Sequence, residues 1–421
     1  MNTAVAYVAE PEVTLTDDQQ AAFDAFMNFL LDPHDDVFVL AGYSGTGKTT
    51  LVRTLLERLP KIEAMARLVE ADFGGWEIEL TATTNKAAEA FSQITGQTVN
   101  TIHSLLGLRV HTDYKTRETS LQAKNGGQMQ HRKLIFIDEG SFADRKLLRF
   151  VNALTKDCKI VFIGDPAQLT PIESADVPVF TSGYKGAQLT QVVRQAAGNP
   201  IIAVATDLRN WVETGEVCQI TLDHHRLQWM NRQAFNDAMR DEFTDPTWKF
   251  NRSKFLAWTN KCCINTNHLV NSWVKGQPDF QVGDYAINNR FIGGKTALKT
   301  DQLVLITDKQ PDTHFGYPGF TYQVDKIRDV FVPDDPVDRD RAIKDAKARE
   351  DFHTLQTIDD IWADLRSVYA CTVNKAQGST YNRVFIDLDD IGKCRNTNQI
   401  ARMLYVAVTR ASETVIFTGD L

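Results

Sequence analysis

Short apolar runs recur through the first half of the chain, at Val37 to Ala41, Ile78 to Ala82, Leu134 to Ile137 and Ile160 to Ile163, each closed by polar or glycine residues. A run too short for a helix and unbroken by polar positions predicts a strand buried on both faces, as in a parallel sheet covered by helices. Helical patterns lie between them. Thr49 to Leu59 carries Leu51, Leu55, Leu56 and Leu59 on one side, and Pro60 is expected to stop it. This alternation is an α/β signature.

The theme returns at Phe255 to Thr259, Val384 to Leu388 and Thr414 to Gly419, which predicts a second α/β domain. Pro200 opens a helix over Ile201 to Val212, with Ile201, Val204, Ala205, Leu208, Trp211 and Val212 on one face. Two segments break the pattern. In Leu105 to Gln130 the alternation of Leu108, Val110 and Thr112 predicts a protruding β-hairpin. Gln281 to Lys326, with Leu303 and Leu305 and then Tyr322 and Val324 alternating, suits a small β-barrel, and the charge-dense stretch Pro333 to Asp351 reads as a solvated helix or linker.

Composition narrows the classes. Of 421 residues, 43% are hydrophobic and 24% charged, enough to bury a core and exclude wholesale disorder. The net charge of −8 argues against a broad basic coat for nucleic acid. Six scattered cysteines without a C-x-x-C pair fit a reduced compartment. No stretch approaches the roughly 18 apolar residues of a membrane span, and the N-terminus lacks a signal pattern, so a soluble, cytoplasmic protein is expected with no membrane partner.

The chemistry is concentrated in two motifs. Gly42-Tyr-Ser-Gly-Thr-Gly47-Lys48-Thr49 fits G-x-x-x-x-G-K-[ST], placed after an apolar strand and at a helix start. Its glycines let backbone N–H groups wrap phosphates, Lys48 reaches the β and γ oxygens, and the Thr49 hydroxyl helps hold Mg²⁺. Leu134 to Glu139 is an apolar strand delivering two carboxylates at its end. In such sites the first, Asp138, holds the metal ion and the second, Glu139, orients or deprotonates the attacking water. Together they point to nucleotide hydrolysis. Arg194 and Arg410, each after a helix-like apolar stretch, are candidates for stabilising the γ-phosphate, although composition alone favours surface arginines.

The ordered set of segments resembles a superfamily 1 helicase, in the 1B branch that contains RecD and the Dda-type helicases of T-even-like bacteriophages. Leu15 to Phe23 resembles the glutamine motif, the Gly42 segment motif I, Leu80 to Phe91 motif Ia, Ile137 to Phe142 motif II and Ile163 to Ile172 motif III. Thr101 to Gly107, the Arg194 segment, Ala257 to Lys261, Thr372 to Thr380 (motif V) and Leu404 to Ala411 (motif VI) complete the set, which spans nearly the whole chain.

The resemblance implies an α/β fold of two RecA-like P-loop domains with an inserted β-hairpin pin and an inserted SH3-like barrel. The domains would be 1–104 with 131–185, the hairpin 105–130, the second domain 186–278 with 367–421, and the barrel with a charged helical extension 279–366. The implied activity is an ATP-dependent DNA helicase translocating 5′-to-3′ in replication, recombination or repair. A translocase that displaces proteins and an RNA-directed helicase use the same motor. ATP and Mg²⁺ are the implied cofactors; single-stranded DNA and junctions, a single-strand binding protein and replisome components are the implied partners; a bacteriophage source would put it in the host cytoplasm.

Residue by residue, the resemblance implies that Gln19 reads the adenine edge and Gln168 senses the γ-phosphate. Gly42, Ser44, Gly45, Thr46, Gly47, Lys48, Thr49 and Thr50 cradle the nucleotide with Gly378, Thr49 and Asp138 hold the metal, and Arg194 and Arg410 complete the ATP site. Thr83, Thr84, Asn85, Lys86, Thr101 and His103 would hold the single strand, as would Asn374, which stands where the family has His. From the residues themselves, His103 and Thr83 to Lys86 serve equally as helix caps, and Trp258, beside Asn260, as core or base-stacking surface. Tyr114, near the hairpin tip, is an exposed turn residue or a flat ring against the first base pair. Gly140, where a small or β-branched residue is usual, is expected to loosen local packing.

Overall fold

The computed structural model describes residues 14–69, 75–112, 119–170, 177–193, 199–293 and 296–421. These divide into two compact units. The first takes the described residues up to Arg109, Ala123–Pro166 and those from Thr170 to Val193; the second takes the described residues of 110–122, Ala167–Leu169 and 199–421.

The first unit is built on a six-stranded parallel sheet in the order Lys185–Leu189, Val37–Gly42, Lys159–Gly164, Lys133–Asp138, Glu77–Ala82, Asn100–Thr101. All four predicted strands are present, and every residue of Lys159–Gly164 is buried, as a central strand covered on both faces requires. Helices Asp17–Leu31, Lys48–Val69 and Asn85–Thr95 contribute to a core in which Phe26 meets Phe38 and Phe136 at centroid distances of 5.8 and 6.0 Å. Each such buried ring contributes about 2–3 kcal/mol by removal from water.

The P-loop helix does not stop at Pro60 but runs through it to Val69. Proline removes one internal hydrogen bond, and the apolar face continues beyond it with Leu59 and Ile62 both buried in the core. Packing outweighs the local breaker. Strand Lys185–Leu189 pairs with Val37–Gly42, so a domain limit at residue 185 would cut through a strand of the first sheet.

In the second unit, a five-stranded parallel sheet runs in the order Leu227–Trp229, Ala411–Thr418, Tyr381–Asp387, Ser253–Ala257, Ala370–Thr372. The helix opened by Pro200 spans Pro200–Thr214 and buries Ile201, Val204, Leu208, Trp211 and Val212. A second five-stranded sheet, antiparallel, follows the order Arg328–Pro333, Tyr317–Val324, Gln302–His314, Tyr285–Asn288, Leu365–Ser367. Its core takes Val304, Ile306, Tyr322 and Val324. The inward pair on the long strand is therefore Val304 and Ile306 rather than Leu303 and Leu305, because apolar residues occupy both faces there and alternation leaves the register open.

The charge-dense stretch forms helix Asp338–Ala348, and it is only partly solvated: Ala342 packs with Phe331, Ile358 and Trp362. Leu108–Thr112 and Thr119–Ala123 form a two-stranded sheet, in line with the expected hairpin. Among the described residues no helix is long and apolar enough to cross a membrane.

Candidate functional site

Strands Val37–Gly42 and Lys133–Asp138 flank Lys159–Gly164 in the first sheet, so the P-loop and the Asp138–Glu139 pair both leave the carboxyl ends of parallel strands. That end of an open parallel sheet is where ligands bind. Gly45 and Gly47 adopt φ of 83° and 78°, a left-handed conformation that glycine reaches without strain. Around them, Thr46 Oγ1 donates to the Tyr43 carbonyl (2.9 Å), and the Lys48 ammonium donates to the carbonyls of Gly42 (2.7 Å) and Tyr43 (2.9 Å). Helix Lys48–Val69 follows directly, so Thr49 and Thr50 lie in its first turn, where amides point at an anion. Ser44 is half-buried in the loop.

Gln19 is buried, and its amide is engaged at both ends. Nε2 donates to the Thr46 carbonyl at 3.2 Å, while Oε1 accepts from the Thr16 N–H at 3.1 Å in a capping box. A Cβ on Gly47 would meet this Nε2 at 2.5 Å. The residue expected to read a base thus also shapes the phosphate loop. Its neighbour Asp18 accepts from Thr190 N–H, Thr190 Oγ1 and Gln191 N–H, each at 2.8 Å. Those donors hold its carboxyl below the ordinary carboxylate range. Val193 N–H donates to the Gly45 carbonyl at 2.9 Å, tying the segment before Arg194 to the loop. Arg194 and Tyr114 lie outside the described residues.

Burial raises the Asp138 carboxyl, with the Glu139 N–H and the Lys48 charge opposing that rise. Its Oδ1 accepts the Glu139 N–H at 2.8 Å. Glu139 has φ 52° and ψ 45°, a left-handed conformation that costs a non-glycine residue about 1–2 kcal/mol. The tight turn continues at Gly140, where a Cβ would stand 3.2 Å from the Ile163 carbonyl. Gly140 permits close packing there, the opposite of the loosening expected of it. A hydroxyl, Thr49, and a carboxylate, Asp138, are oxygen donors that suit a hard cation. Among the described residues no cluster of three His, Cys, Asp or Glu side chains could hold a metal alone, so a cation here would draw its remaining ligands from phosphate and water.

The strand-contact candidates separate. Thr84 caps helix Asn85–Thr95, its side chain accepting from Ala87 N–H, and leaves Asn85 exposed and Lys86 half-buried in the first turn. Thr83 is turned inward: its hydroxyl donates to the Glu139 carbonyl at 2.9 Å. Thr101 caps the helical turn Ile102–Leu105. Burial lowers His103 below the usual imidazole value, against a raising contribution from Asp144, so it is neutral at pH 7.

In the second unit, Gln168 is buried, accepts a hydrogen bond from the Gln377 amide, and its carbonyl takes Arg402 Nη1 at 2.6 Å. Gly378 follows with φ 77°, and Asn374 sits half-buried in the turn Val373–Ala376. Arg410 is buried at the end of helix Thr397–Thr409, donating to Val406 O, Ser379 O and Thr409 Oγ1 at 3.0–3.1 Å. Trp258 is half-buried, neither full core nor open platform, and Asn260 Oδ1 accepts from Arg366 at 2.7 Å.

Sequence reasoning missed Asp390. It is 1% exposed, and its carboxylate accepts from Trp258 N–H (2.9 Å), Thr259 N–H (2.7 Å), Thr259 Oγ1 (2.8 Å) and Lys393 Nζ (2.8 Å). It fixes the turn that carries Trp258 and Asn260. The only signal in the sequence is an acidic cluster closing a strand, which is commonplace.

Fold and phosphate site together define a P-loop nucleoside triphosphatase that uses ATP. Residues 14–232, just over half the chain, match the AAA domain family, and residues 367–418 match the UvrD-like helicase C-terminal domain. The chain is 27% identical to the ATP-dependent DNA helicase dda of Enterobacteria phage T4 over 459 aligned positions, covering 96% of this chain and 99% of that one. It is 30% identical to the RecBCD enzyme subunit RecD of Mycolicibacterium smegmatis, covering 90% of this chain and 68% of the other. A solved Pif1 helicase from Bacteroides, in complex with ADP-AlF3 and ssDNA, aligns over 97% of this chain and 94% of its own at 15% identity and a TM-score of 0.49. The chain belongs to the AAA-domain P-loop proteins and, among them, to the RecD-like superfamily 1B helicases.

Proposed function

We propose that this chain is an ATP-dependent DNA helicase that tracks along single-stranded DNA from 5′ to 3′ and opens duplex ahead of it, in replication, recombination or repair. The observation that supports it most is that the Lys48 loop and the Asp138–Glu139 turn leave the carboxyl ends of two strands of one parallel sheet that flank strand Lys159–Gly164. In this reading the P-loop amides and Lys48 bind the phosphates, and Gln19 and Gly378 border the nucleotide. Glu139 takes the proton of the attacking water, while Arg194 and Arg410 stabilise charge on the γ-phosphate, worth about 10³–10⁵ in rate in comparable enzymes. Thr49 and Asp138 would hold Mg²⁺, which supplies charge neutralisation at the β and γ oxygens.

Gln168 relays the nucleotide state toward the strand through Gln377. Thr84, Asn85, Lys86, Thr101, His103, Trp258, Asn260 and Asn374 would grip the strand, with Tyr114 on a hairpin pin at the junction. The antiparallel sheet would be an SH3-like barrel inserted in a second RecA-like domain, and the first RecA-like domain would extend to Leu189. Single-strand binding protein or replisome components would be partners in a host cytoplasm.

Unwinding of partial duplexes carrying a 5′ or a 3′ tail, in DNA and in RNA, tests the reading. Opening of 5′-tailed DNA supports it; opening only from 3′ tails overturns the polarity, and opening only of RNA overturns the substrate.

A further inference from the structure

The resemblance puts Thr83 among the residues that touch DNA, yet its side chain faces the catalytic turn. Thr83 is 7% exposed. Its N–H donates to the Asp138 carbonyl at 3.1 Å and its hydroxyl to the Glu139 carbonyl at 2.9 Å. The same Glu139 carbonyl accepts from Phe142 N–H at 3.0 Å, and the Glu139 N–H is held by the Asp138 carboxylate. Glu139 therefore keeps its left-handed backbone because both sides of the residue are anchored, and one anchor comes from a different motif.

On its other side Thr83 is joined by a single peptide bond to Thr84, the cap of helix Asn85–Thr95, whose side chain accepts Ala87 N–H at 3.1 Å and whose carbonyl accepts Ala88 N–H at 3.0 Å. In the helicase reading a backbone phosphate would approach this helix start at Asn85, ahead of the Ala87 and Ala88 amides that the cap already holds. An anion seated there would act on the 83–84 peptide, which the Thr83 hydroxyl joins to the backbone of Glu139.

We infer that Thr83 is a positioning residue which transmits occupancy of the strand site to the orientation of the Glu139 carboxylate, so that single-stranded DNA accelerates hydrolysis through this one hydrogen bond. The inference rests on the helicase reading above. Valine has the shape of threonine without the hydroxyl, and a lost hydrogen bond of about 1–1.5 kcal/mol corresponds to roughly tenfold in rate.

The test compares wild type, Thr83→Val and Thr83→Ser by steady-state ATPase titrated with oligo-dT and by anisotropy of a labelled oligo-dT. For Thr83→Val, kcat at saturating oligo-dT should fall about tenfold, with KM for ATP and Kd for oligo-dT within about twofold of wild type; Thr83→Ser should recover the rate. Weakened oligo-dT binding with wild-type kcat at saturation would make Thr83 a direct DNA contact and overturn the link. An unchanged kcat would overturn it as well, as would an equal loss in Thr83→Ser. If wild-type ATPase is not stimulated by oligo-dT, the helicase reading itself fails, an outcome separable from failure of the link.

Discussion

The Gln19 side-chain amide donates to the Thr46 carbonyl across 3.2 Å, joining the first helix to the phosphate loop. Gln19→Glu keeps an oxygen for the Thr16 N–H and so preserves the helix cap, but it has no N–H for Thr46 and sets a carboxylate against a carbonyl. KM for ATP should rise about five- to tenfold, the value of one hydrogen bond, with little change in melting temperature. Calorimetric nucleotide binding checks it; unchanged affinity would show that the contact does not shape the loop.

In the proposed site Lys48 is the loop side chain whose charge would reach the β and γ oxygens. Lys48→Ala should lower DNA-stimulated kcat by about a hundredfold or more while leaving the fold intact by circular dichroism. Retained turnover would refute the assigned site.

Asp390 gives a pH signature. Although burial alone would raise it, its hydrogen bonds from Thr259 and its pairing with Lys393 hold its carboxyl below the ordinary value in the folded chain. A carboxylate depressed on folding adds stability above the unfolded value of about 3.9, and that contribution is lost as pH falls through the folded value. The urea midpoint of wild type should therefore drop steeply below about pH 4, and Asp390→Asn should flatten that limb. Asp390→Ala, which strands two backbone N–H groups and the Thr259 hydroxyl, should cost about 3–5 kcal/mol.

Strand affinity should be only modestly salt-dependent. Of the candidate contacts Lys86 is the charged one and His103 is neutral, while in the second unit Lys375 pairs with Asp301 at 2.5 Å and Arg366 with Asp364 at 2.9 Å. With about one phosphate neutralised by a charged side chain, the slope of log K against log salt on single strands should be near −1. A slope beyond about −5 would mean a basic channel that the sequence's net charge of −8 hides.

Tyr114→Ala should impair duplex unwinding severalfold while DNA-stimulated ATPase stays close to wild type, measured on one forked substrate. Equal loss of both would make Tyr114 part of the motor, and an unchanged unwinding rate would remove it from the junction.

How much of this was legible in the chain depended on range. The doubly buried strands could be read because a run such as Lys159–Gly164 has no polar face to confuse it, and the P-loop because its spacing is itself the mechanism. Pro60 misled because a local breaker was weighed without the core that Leu59 and Ile62 supply. Leu303 and Val304 were indistinguishable, since both are apolar and only the partner strand sets which faces inward. Thr83 and Thr84 are chemically identical neighbours, and nothing local tells that one caps a helix while the other reaches Glu139. Asp18 and Asp390 act on partners more than a hundred positions away, beyond any spacing rule.

Strand Leu365–Ser367 closes the antiparallel sheet, and after Val368 and Tyr369, both buried, the chain is already strand Ala370–Thr372 of the parallel sheet. Asn271 Nδ2 clamps Ser367 Oγ at 2.8 Å beside this joint. Val368 and Tyr369 belong to the core packed with Phe255 and Phe385 of the parallel sheet, so the packing that holds that sheet also sets where the antiparallel one ends.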